Sequence, residues 1–339
     1  MPEEGTSRSS SAAGAPPLAG LCVLDLATDR AELTGRVLAD LGARVIKVEP
    51  PSGTPSRRRA PFANEDGESL YWTAVGSGKR SIVLDLDDRA GVESLRRLAG
   101  RSDVLIESFD PGWMASRGLG YEDLEPANPG LVYVSITPYG QDGPKSRWPA
   151  TDLTAEAAGG LISLQGDGDR PPLPVGFPQA AFHAGTQAAA DALVAVFERD
   201  RSGRGQHLDL SMQTTVIWTL MNATGFPPNV GSDPPGTCDT RDRPPPEIFP
   251  GLPAPPRVWP CADGYALFTP ALGGIGARTL DSFVRWREEE GALPEGLRGR
   301  DWTTWLTDLP EGRLTAADAA AVLEAAGDFL LQRTKRELM

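Results

Sequence analysis

From residue 18 onward, short apolar runs alternate with amphipathic stretches, and this alternation constrains the fold more than any other feature of the chain. The amphipathic stretches carry apolar residues at helical spacing, as in Val37, Leu38 and Leu41. Such an alternation favours an α/β fold, a doubly wound, mostly parallel, Rossmann-like sheet with helices on its faces. The predicted strands are 21–26, 43–48, 81–86, 103–109, 131–136 and 207–211, and the main predicted helices are 31–42, 89–99 and 181–199.

Prolines divide the chain into two parts. Twelve of them fall between Phe226 and Pro260, where neither regular helix nor central strand is expected. We predict a disordered tail over 1–17, a large α/β domain over 18–225, a proline-rich linker over 226–256 and a smaller α+β domain over 257–339. Within the small domain the pattern predicts a hairpin over 257–269 and helices over 276–290, 301–306, 315–326 and 328–338.

Charge and cysteine content restrict the partners and the setting. With 46 acidic and 33 basic residues the net charge is −13, which argues against nucleic acid or an anionic membrane as the main partner. The odd, widely spaced set Cys22, Cys238 and Cys261 is typical of a reduced, cytoplasmic protein. Two histidines, His183 and His207, are too few for a histidine-rich metal centre. The sequence has neither a long apolar span nor a signal-peptide pattern.

Basic residues cluster near the ends of two predicted strands. The junction after the first strand lacks the three glycines of a dinucleotide-binding loop, which disfavours a nicotinamide or flavin site. Arg57, Arg58 and Arg59 follow the second strand, and Lys79 and Arg80 precede the third. A charge cluster can simply be a solvated face. In an acidic chain, its position beside strand ends also indicates a ligand that carries phosphate.

Asp152 is the carboxylate with the clearest chemical interest. It precedes a helix that contains small residues, Gly159 and Gly160 among them. One interpretation makes Asp152 the N-cap of that helix. The other makes it a nucleophile or an acid/base group, because small neighbours allow close approach of a substrate and helix amides stabilise developing negative charge.

Twelve segments, taken in order over about residues 18–215, carry a specific resemblance. They are LDL (24–26), LADLGA (38–43), VIKVEPP (45–51), GKRS (78–81), LDL (84–86), DVLIESF (103–109), PG (111–112), GLGY (118–121), YGQDGP (139–144), TDL (151–153), GGL (159–161) and GRGQH (203–207). Together they resemble the class III CoA-transferase family (CaiB/BaiF type), which includes formyl-CoA transferase and carnitine CoA-transferase.

The resemblance implies transfer of CoA from an acyl-CoA thioester to a carboxylic acid. Asp152 would attack the thioester, giving a mixed anhydride and then an aspartyl-CoA thioester, with no metal required. CoA is then a substrate rather than a tightly bound cofactor, and the partners are an acyl-CoA and an acid. The positions that the resemblance assigns to CoA binding are Asp29, Arg30, Ala31, Arg57, Gly78, Lys79, Arg80, Ser108, Phe109, Asp110, Arg117, Tyr139 and Gly140.

Two departures from the family pattern bear on activity. Residues 31–33 read Ala-Glu-Leu where the family usually has Ala-Gly-Pro. Family members are longer, and their last segment returns to the large domain within an interlocked dimer. We therefore expect a C-terminally incomplete small domain and either a homodimer or a partner that supplies the missing segment.

Two alternative functions stay open. One is an α-methylacyl-CoA racemase-like enzyme, although this chain has Ala150-Thr151-Asp152 where racemases typically carry a Gly-His-Asp-like motif. The other is a non-catalytic partner that binds CoA or dimerises with a full-length homologue.

Overall fold

The computed structural model describes residues 14–64, 67–166, 171–231, 247–270, 273–291, 293 and 295–339. The chain divides into two compact units, residues 1–239 and 240–339. Most of the predicted tail, 1–13, and residues 232–246 of the predicted linker lie outside the described residues. Among the described residues, none of the helices combines the length and the apolar character that a membrane crossing requires.

Six parallel strands form the central sheet of the first unit. They are β1 (Cys22–Leu26), β2 (Arg44–Glu49), β3 (Arg80–Val83), β4 (Val104–Glu107), β5 (Val132–Thr137) and β6 (His207–Ser211). The strand order is β3-β2-β1-β4-β5-β6. This sheet confirms the predicted doubly wound α/β fold. The order reverses between β1 and β4, and ligands of open α/β sheets bind at such a reversal.

Apolar residues are buried on both faces of this sheet. Val23 and Val104 belong to one core cluster, and Leu24 and Leu105 belong to another. Because successive side chains of a strand point to opposite faces, each central strand contributes to both cores. This double burial explains why the strands are continuous apolar runs in the sequence.

Helices cover the sheet and connect its strands. In the first unit they are α1 (Glu32–Asp40), α2 (Leu70–Gly76), α3 (Arg89–Ala99), α4 (Tyr121–Leu124), α5 (Asp152–Ala158), α6 (Gln179–Ser202), α7 (Met212–Thr219), α8 (Met221–Thr224) and α9 (Phe226–Val230). Helix α6 ends at Gly203, whose φ of +77° favours glycine. The expectation of no helix after Phe226 is wrong for α9, because prolines are tolerated in a first helical turn.

The second unit contains two hairpins and three helices within its described part. The strands are β7 (Glu247–Phe249), β8 (Leu252–Pro253), β9 (Val258–Cys261) and β10 (Gly264–Leu267), and the helices are α10 (Gly273–Glu289), α11 (Trp305–Asp308) and α12 (Ala316–Leu331). The two helices predicted over 315–326 and 328–338 are wrong, since α12 runs through Gly327. A side chain at Gly327 would press against the Trp259 ring at 3.2 Å, so glycine serves close packing there.

Candidate active site

A cavity of about 620 Å³ lies in the first unit, beside the ends of β1 and β5 and the beginnings of α5 and α6. Three predicted site residues line it, namely Asp29, Arg30 and Asp152. The other lining residues are Pro55, Ser56, Arg58, Arg59, Pro138, Ala150, Thr151, Leu153, Pro178, Ala181 and Met212. The cavity therefore combines carboxylates with several guanidinium groups.

Asp152 joins two helices at the wall of this cavity. Its Oδ1 accepts a hydrogen bond from the Ala181 backbone N–H at 2.8 Å, in the first turn of α6. Pro178, the N-cap of α6, provides no side-chain cap. The N-cap of α5 is Thr151, so the interpretation of Asp152 as the cap of its own helix is wrong. Asp152 instead satisfies an amide of the neighbouring helix that would otherwise lack a partner within α6.

Glu156 lies one turn after Asp152 and was not among the predicted site residues. It is only 2% exposed, and its Oε1 accepts a hydrogen bond from the Gln179 backbone N–H at 3.4 Å. Burial, reinforced by a hydrogen bond with Asp152 and by the negative charge of Asp152, raises the pKa of Glu156 to about 7. Two acidic residues four positions apart at a helix start are a sequence signal that points to such a pair.

Arginines supply the positive charge around the cavity. Arg58 Nη1 donates to the Ser52 carbonyl at 2.8 Å, and the Arg59 guanidinium lies 4.4 Å from the centre of the Tyr71 ring. The sequence singled out Arg57, which does not line the cavity. Its guanidinium makes a two-point contact with the Glu49 carboxylate, Nε–Oε2 2.6 Å and Nη2–Oε1 2.7 Å.

The hydrogen bond from Arg57 overcomes burial and lowers the pKa of Glu49 to about 2. Arg57 is thus held to the end of β2, while its two neighbours in the chain face the cavity.

The ends of β1 and β4 are connected through Ser108. The Thr28 N–H donates to Ser108 Oγ at 2.7 Å, and the Thr28 hydroxyl lies 2.9 Å from the same oxygen. Arg30 Nη1 donates to the Ser108 carbonyl at 3.3 Å and pairs with Asp110 at 2.8 Å. Four of the predicted CoA positions, Asp29, Arg30, Ser108 and Asp110, therefore lie on this one junction. Ala31 follows it, buried just before α1.

Phe109 and Arg117 both contact the indole ring of Trp113. The Phe109 ring stacks on Trp113 with centroids 4.0 Å apart, and the Arg117 guanidinium lies 3.7 Å from the Trp113 centroid. Arg117 also forms an ion pair with Asp87. Arg117 therefore stands in a stacked cluster rather than on the wall of the cavity.

Lys79 belongs to a buried charge cluster together with Asp25, Glu32 and Lys47. Its Nζ donates to Asp25 Oδ2 at 2.7 Å and to the Glu32 carbonyl at 2.6 Å, and its side chain is 1% exposed. A Cβ at Gly35 would meet Asp25 Oδ2 at 2.2 Å, so the absence of a side chain there gives that carboxylate its room. Lys79 thus does not line the cavity.

The remaining predicted positions lie on turns or at the surface. Gly78, with φ of +78°, forms the turn before β3, and Arg80 is exposed at the start of that strand. Tyr139 and Gly140 follow β5, and the Tyr139 ring meets Trp148 edge-on with centroids 6.4 Å apart. None of these four residues lines the cavity.

A second group of polar residues lies on neighbouring strands. Ser135 Oγ is 2.9 Å from His207 Nε2, and Glu107 Oε2 accepts a hydrogen bond from the Phe109 N–H at 2.8 Å. Burial raises the pKa of Glu107 to about 7, against the hydrogen bonds from Ser135 and from Phe109. His183, half-buried on α6, has a lowered pKa because of its burial.

Glu107 makes the stability of the fold depend on pH. Its pKa is above the usual 4.5, so the folded state holds a proton that the unfolded state loses first, and stability falls as pH rises through about 7. Glutamine does not titrate, so the variant Glu107→Gln lacks this loss. The free energy of unfolding of Glu107→Gln minus that of the unsubstituted protein should therefore increase by about 3 kcal/mol from about pH 4.5 to about pH 8. Urea unfolding at several pH values measures this difference. The exposed control Glu93→Gln should show no such trend, and a flat difference for Glu107→Gln would contradict the prediction.

Comparisons with known proteins agree on one family. The family model described as CoA-transferase family III matches residues 18–294. Succinyl-CoA:(R)-benzylsuccinate CoA-transferase subunit BbsE of Thauera aromatica is 37% identical over 278 residues, which cover 79% of this chain and 63% of that protein. Succinate–glutarate CoA-transferase of Agrobacterium fabrum is 36% identical over 275 residues, covering 77% and 64%.

Solved structures give the same result. The crystal structure of a CAIB/BAIF family protein from Brucella suis superposes with a TM-score of 0.73 at 29% sequence identity, over 96% of this chain and 81% of that one. The chain spans less than two thirds of the length of each of the two curated relatives described above.

Proposed function

This chain belongs to CoA-transferase family III, and from this premise we propose that it moves CoA from an acyl-CoA thioester to a carboxylic acid, with Asp152 as the nucleophile. The observation that carries the proposal is a carboxylate on the wall of a cavity at the reversal of strand order, with guanidinium groups around it. The CoA-binding positions that we propose are the thirteen that the family resemblance assigns.

The proposed reaction conserves atoms and charge without water or a redox partner. An Asp152 oxygen attacks the thioester carbonyl and the C–S bond breaks, so that CoA leaves as a thiolate and a mixed anhydride of Asp152 with the donor acid remains. The thiolate attacks the Asp152 carbonyl carbon, which releases the donor acid and leaves an aspartyl-CoA thioester. The acceptor carboxylate forms a second anhydride with Asp152 as CoA leaves again. The thiolate then takes the acceptor acyl group and frees Asp152.

The surroundings of Asp152 suit a weak nucleophile. A carboxylate depends on placement more than on a base, and the Ala181 N–H holds one of its oxygens at 2.8 Å. Ala150 and Ala181 are small lining residues, which leave room for an acyl carbonyl beside the carboxylate. The positive charges of Arg30, Arg58 and Arg59 favour the negative charge that develops during attack.

The same arginines favour acids that carry a second carboxylate. Planar guanidinium groups bind carboxylates through paired hydrogen bonds. The names of the two curated relatives above include succinyl-CoA, benzylsuccinate, succinate and glutarate, all of them dicarboxylic acids or their thioesters. We therefore place dicarboxylic acids first among the candidate donors and acceptors.

Trapping of the activated carboxyl tests the proposal. The chain is incubated with a panel of acyl-CoA donors that includes succinyl-CoA, and hydroxylamine is added to convert an anhydride or thioester of Asp152 to a hydroxamate. Peptide mass spectrometry then locates the modification. A hydroxamate at Asp152 supports the transferase, whereas CoA binding without any modification contradicts it.

A second function is favoured by two specific observations. The relative from Thauera aromatica is named as a subunit, and Asp152 already has a structural task in holding the start of α6. On this alternative the chain is a CoA-binding subunit that works beside a catalytic partner. CoA binding without trapping is its expected result, and co-expression with a full-length homologue should then restore transfer.

A further inference from the structure

Two carboxylates of α5 hold the beginning of α6. Asp152 Oδ1 accepts from the Ala181 N–H at 2.8 Å, and Glu156 Oε1 accepts from the Gln179 N–H at 3.4 Å. Both amides belong to the first turn of a 24-residue helix that has no side-chain cap of its own. The two acids therefore replace the missing cap from outside the helix.

One oxygen of this arrangement has no partner among the described residues. Glu156 Oε2 is buried and accepts no hydrogen bond from the described residues, while the Glu156 carboxyl lies within hydrogen-bonding reach of the Asp152 side chain. Two ionised carboxylates this close would repel each other, and the buried Glu156 side chain, 2% exposed, has little water to screen that repulsion. One of them must hold a proton, and Glu156 is the more deeply buried of the two.

We propose that Glu156 is a positioning residue for Asp152, and that its protonated carboxyl donates a hydrogen bond to the Asp152 carboxylate. This inference rests on the proposed function. Asp152 is then held by two donors, the Ala181 N–H and the Glu156 O–H. With both in place, the carboxylate keeps a single orientation at the cavity wall, which a weak nucleophile needs.

Charged groups act on this pair from the elements packed against α5 and from the cavity wall, where Asp29, Arg30, Arg58 and Arg59 lie with Asp152. The elements packed against α5 are α6, α7 and the turn Ile162–Leu164. Neither α7 nor that turn contains an ionisable side chain, and the first turns of α6 contribute His183. The negative charge of Asp152 also contributes to the raised pKa of Tyr71, on α2. The arginines stay charged over the pH range of the test, so the pH response of the pair is set mainly by the two carboxyls themselves.

The pH profile of the first half-reaction tests the inference. Single-turnover release of CoA thiol should fall about tenfold as pH rises from about 6 to about 8.5, because Glu156 loses its proton and then repels Asp152. In Glu156→Gln the side-chain amide donates at every pH, so the fall should shrink to less than about twofold. The loss should appear in kcat rather than in KM. The exposed control Glu93→Gln should keep the profile of the unsubstituted protein. The same fall in Glu156→Gln would overturn the inference.

A second measurement separates this inference from the proposed function. Carbon NMR of glutamate carboxyls needs no substrate, and Glu107→Gln removes the signal of Glu107, whose pKa is also raised to about 7. We expect one signal with a midpoint near 7 that disappears in Glu156→Gln and moves to lower pH in Asp152→Asn. If the signal shows both changes while no CoA is released, the hydrogen bond between Glu156 and Asp152 is supported and the transferase proposal fails. If Asp152→Asn leaves the midpoint unchanged, the inference fails.

Discussion

Replacement of Asp152 by asparagine should abolish the trapped hydroxamate and lower CoA transfer by about 1,000-fold or more. The effect is this large because the proposed reaction passes through covalent bonds to the Asp152 carboxyl in every step. An amide oxygen cannot replace the carboxylate, since it lacks the negative charge that attacks the thioester. Steady-state transfer and peptide mass spectrometry measure the two losses.

Asparagine is the informative substitution because it keeps the structural contact. Its side-chain oxygen can still accept from the Ala181 N–H, now 2.8 Å from Asp152 Oδ1. Asp152→Ala also removes this acceptor, and a lost hydrogen bond to a buried amide should cost about 1 kcal/mol of folding stability. Asp40→Asn, at an exposed aspartate paired with Arg36, is the matched control. Full transfer by Asp152→Asn would place the nucleophile elsewhere.

CoA affinity separates loss of chemistry from loss of the site. Isothermal titration with CoA should give a dissociation constant for Asp152→Asn within about threefold of the unsubstituted protein, because Asp152 contacts the acyl group in the proposal rather than the nucleotide. A large loss of CoA affinity would mean that Asp152 maintains the cavity rather than reacts in it.

The sheet could be predicted from the sequence because its central strands β1, β4 and β5 are buried on both faces. Strand β6 and helix α3 have the predicted bounds, and β1, β2 and β5 differ by a residue or so. Helix α12 was predicted as two helices because Gly327 resembles a stop signal. Its place against Trp259 depends on tertiary packing, which no local pattern reports.

The cavity was harder to predict than the fold. The sequence indicates a basic loop over Arg57, Arg58 and Arg59. It does not show that Glu49, at the end of β2, binds Arg57, so that Arg58 and Arg59 line the cavity and Arg57 does not. The buried role of Lys79 depends on tertiary packing, because Lys79 precedes β3 and reaches Asp25 of β1, which lies two strands away in the sheet. A lysine inside an apolar strand, as in Val45-Ile46-Lys47-Val48, is the signal that could have indicated a buried ion pair.

Replacement of Lys79 by methionine should destabilise the fold by about 3 kcal/mol, more than any other single change considered for the CoA positions. The Lys79 ammonium is 2.7 Å from Asp25 Oδ2, and both side chains are almost fully buried. Without Lys79, Asp25 keeps Lys47 as a charged partner, 3.4 Å from its Oδ1, and that oxygen also accepts from the Ala27 N–H at 2.9 Å. Removing one partner of a buried pair leaves a charge that is poorly compensated, which costs more than the pair itself contributes.

The pH dependence of the loss identifies the charge as its cause. Burial alone would raise the pKa of Asp25, but Lys47 and Lys79 outweigh burial and hold it below its usual value. Because the pKa of Asp25 is lower in the folded state, its ionised carboxylate stabilises the fold at pH values above the unfolded-state pKa, near 3.8. This contribution disappears as pH falls through the folded-state pKa. Lys79→Met should therefore be most destabilised near neutral pH and less so at about pH 3.

Arg80→Ala is the matched control, because Arg80 is the next residue and is exposed at the start of β3. Its stability should stay within about 0.5 kcal/mol of the unsubstituted protein. Any loss of CoA affinity in Arg80→Ala then reports a lost contact, whereas a loss in Lys79→Met that tracks its unfolding reports the missing charge in the core. If Lys79→Met unfolds like the unsubstituted protein and still binds CoA weakly, Lys79 acts directly on CoA, as the family resemblance implies.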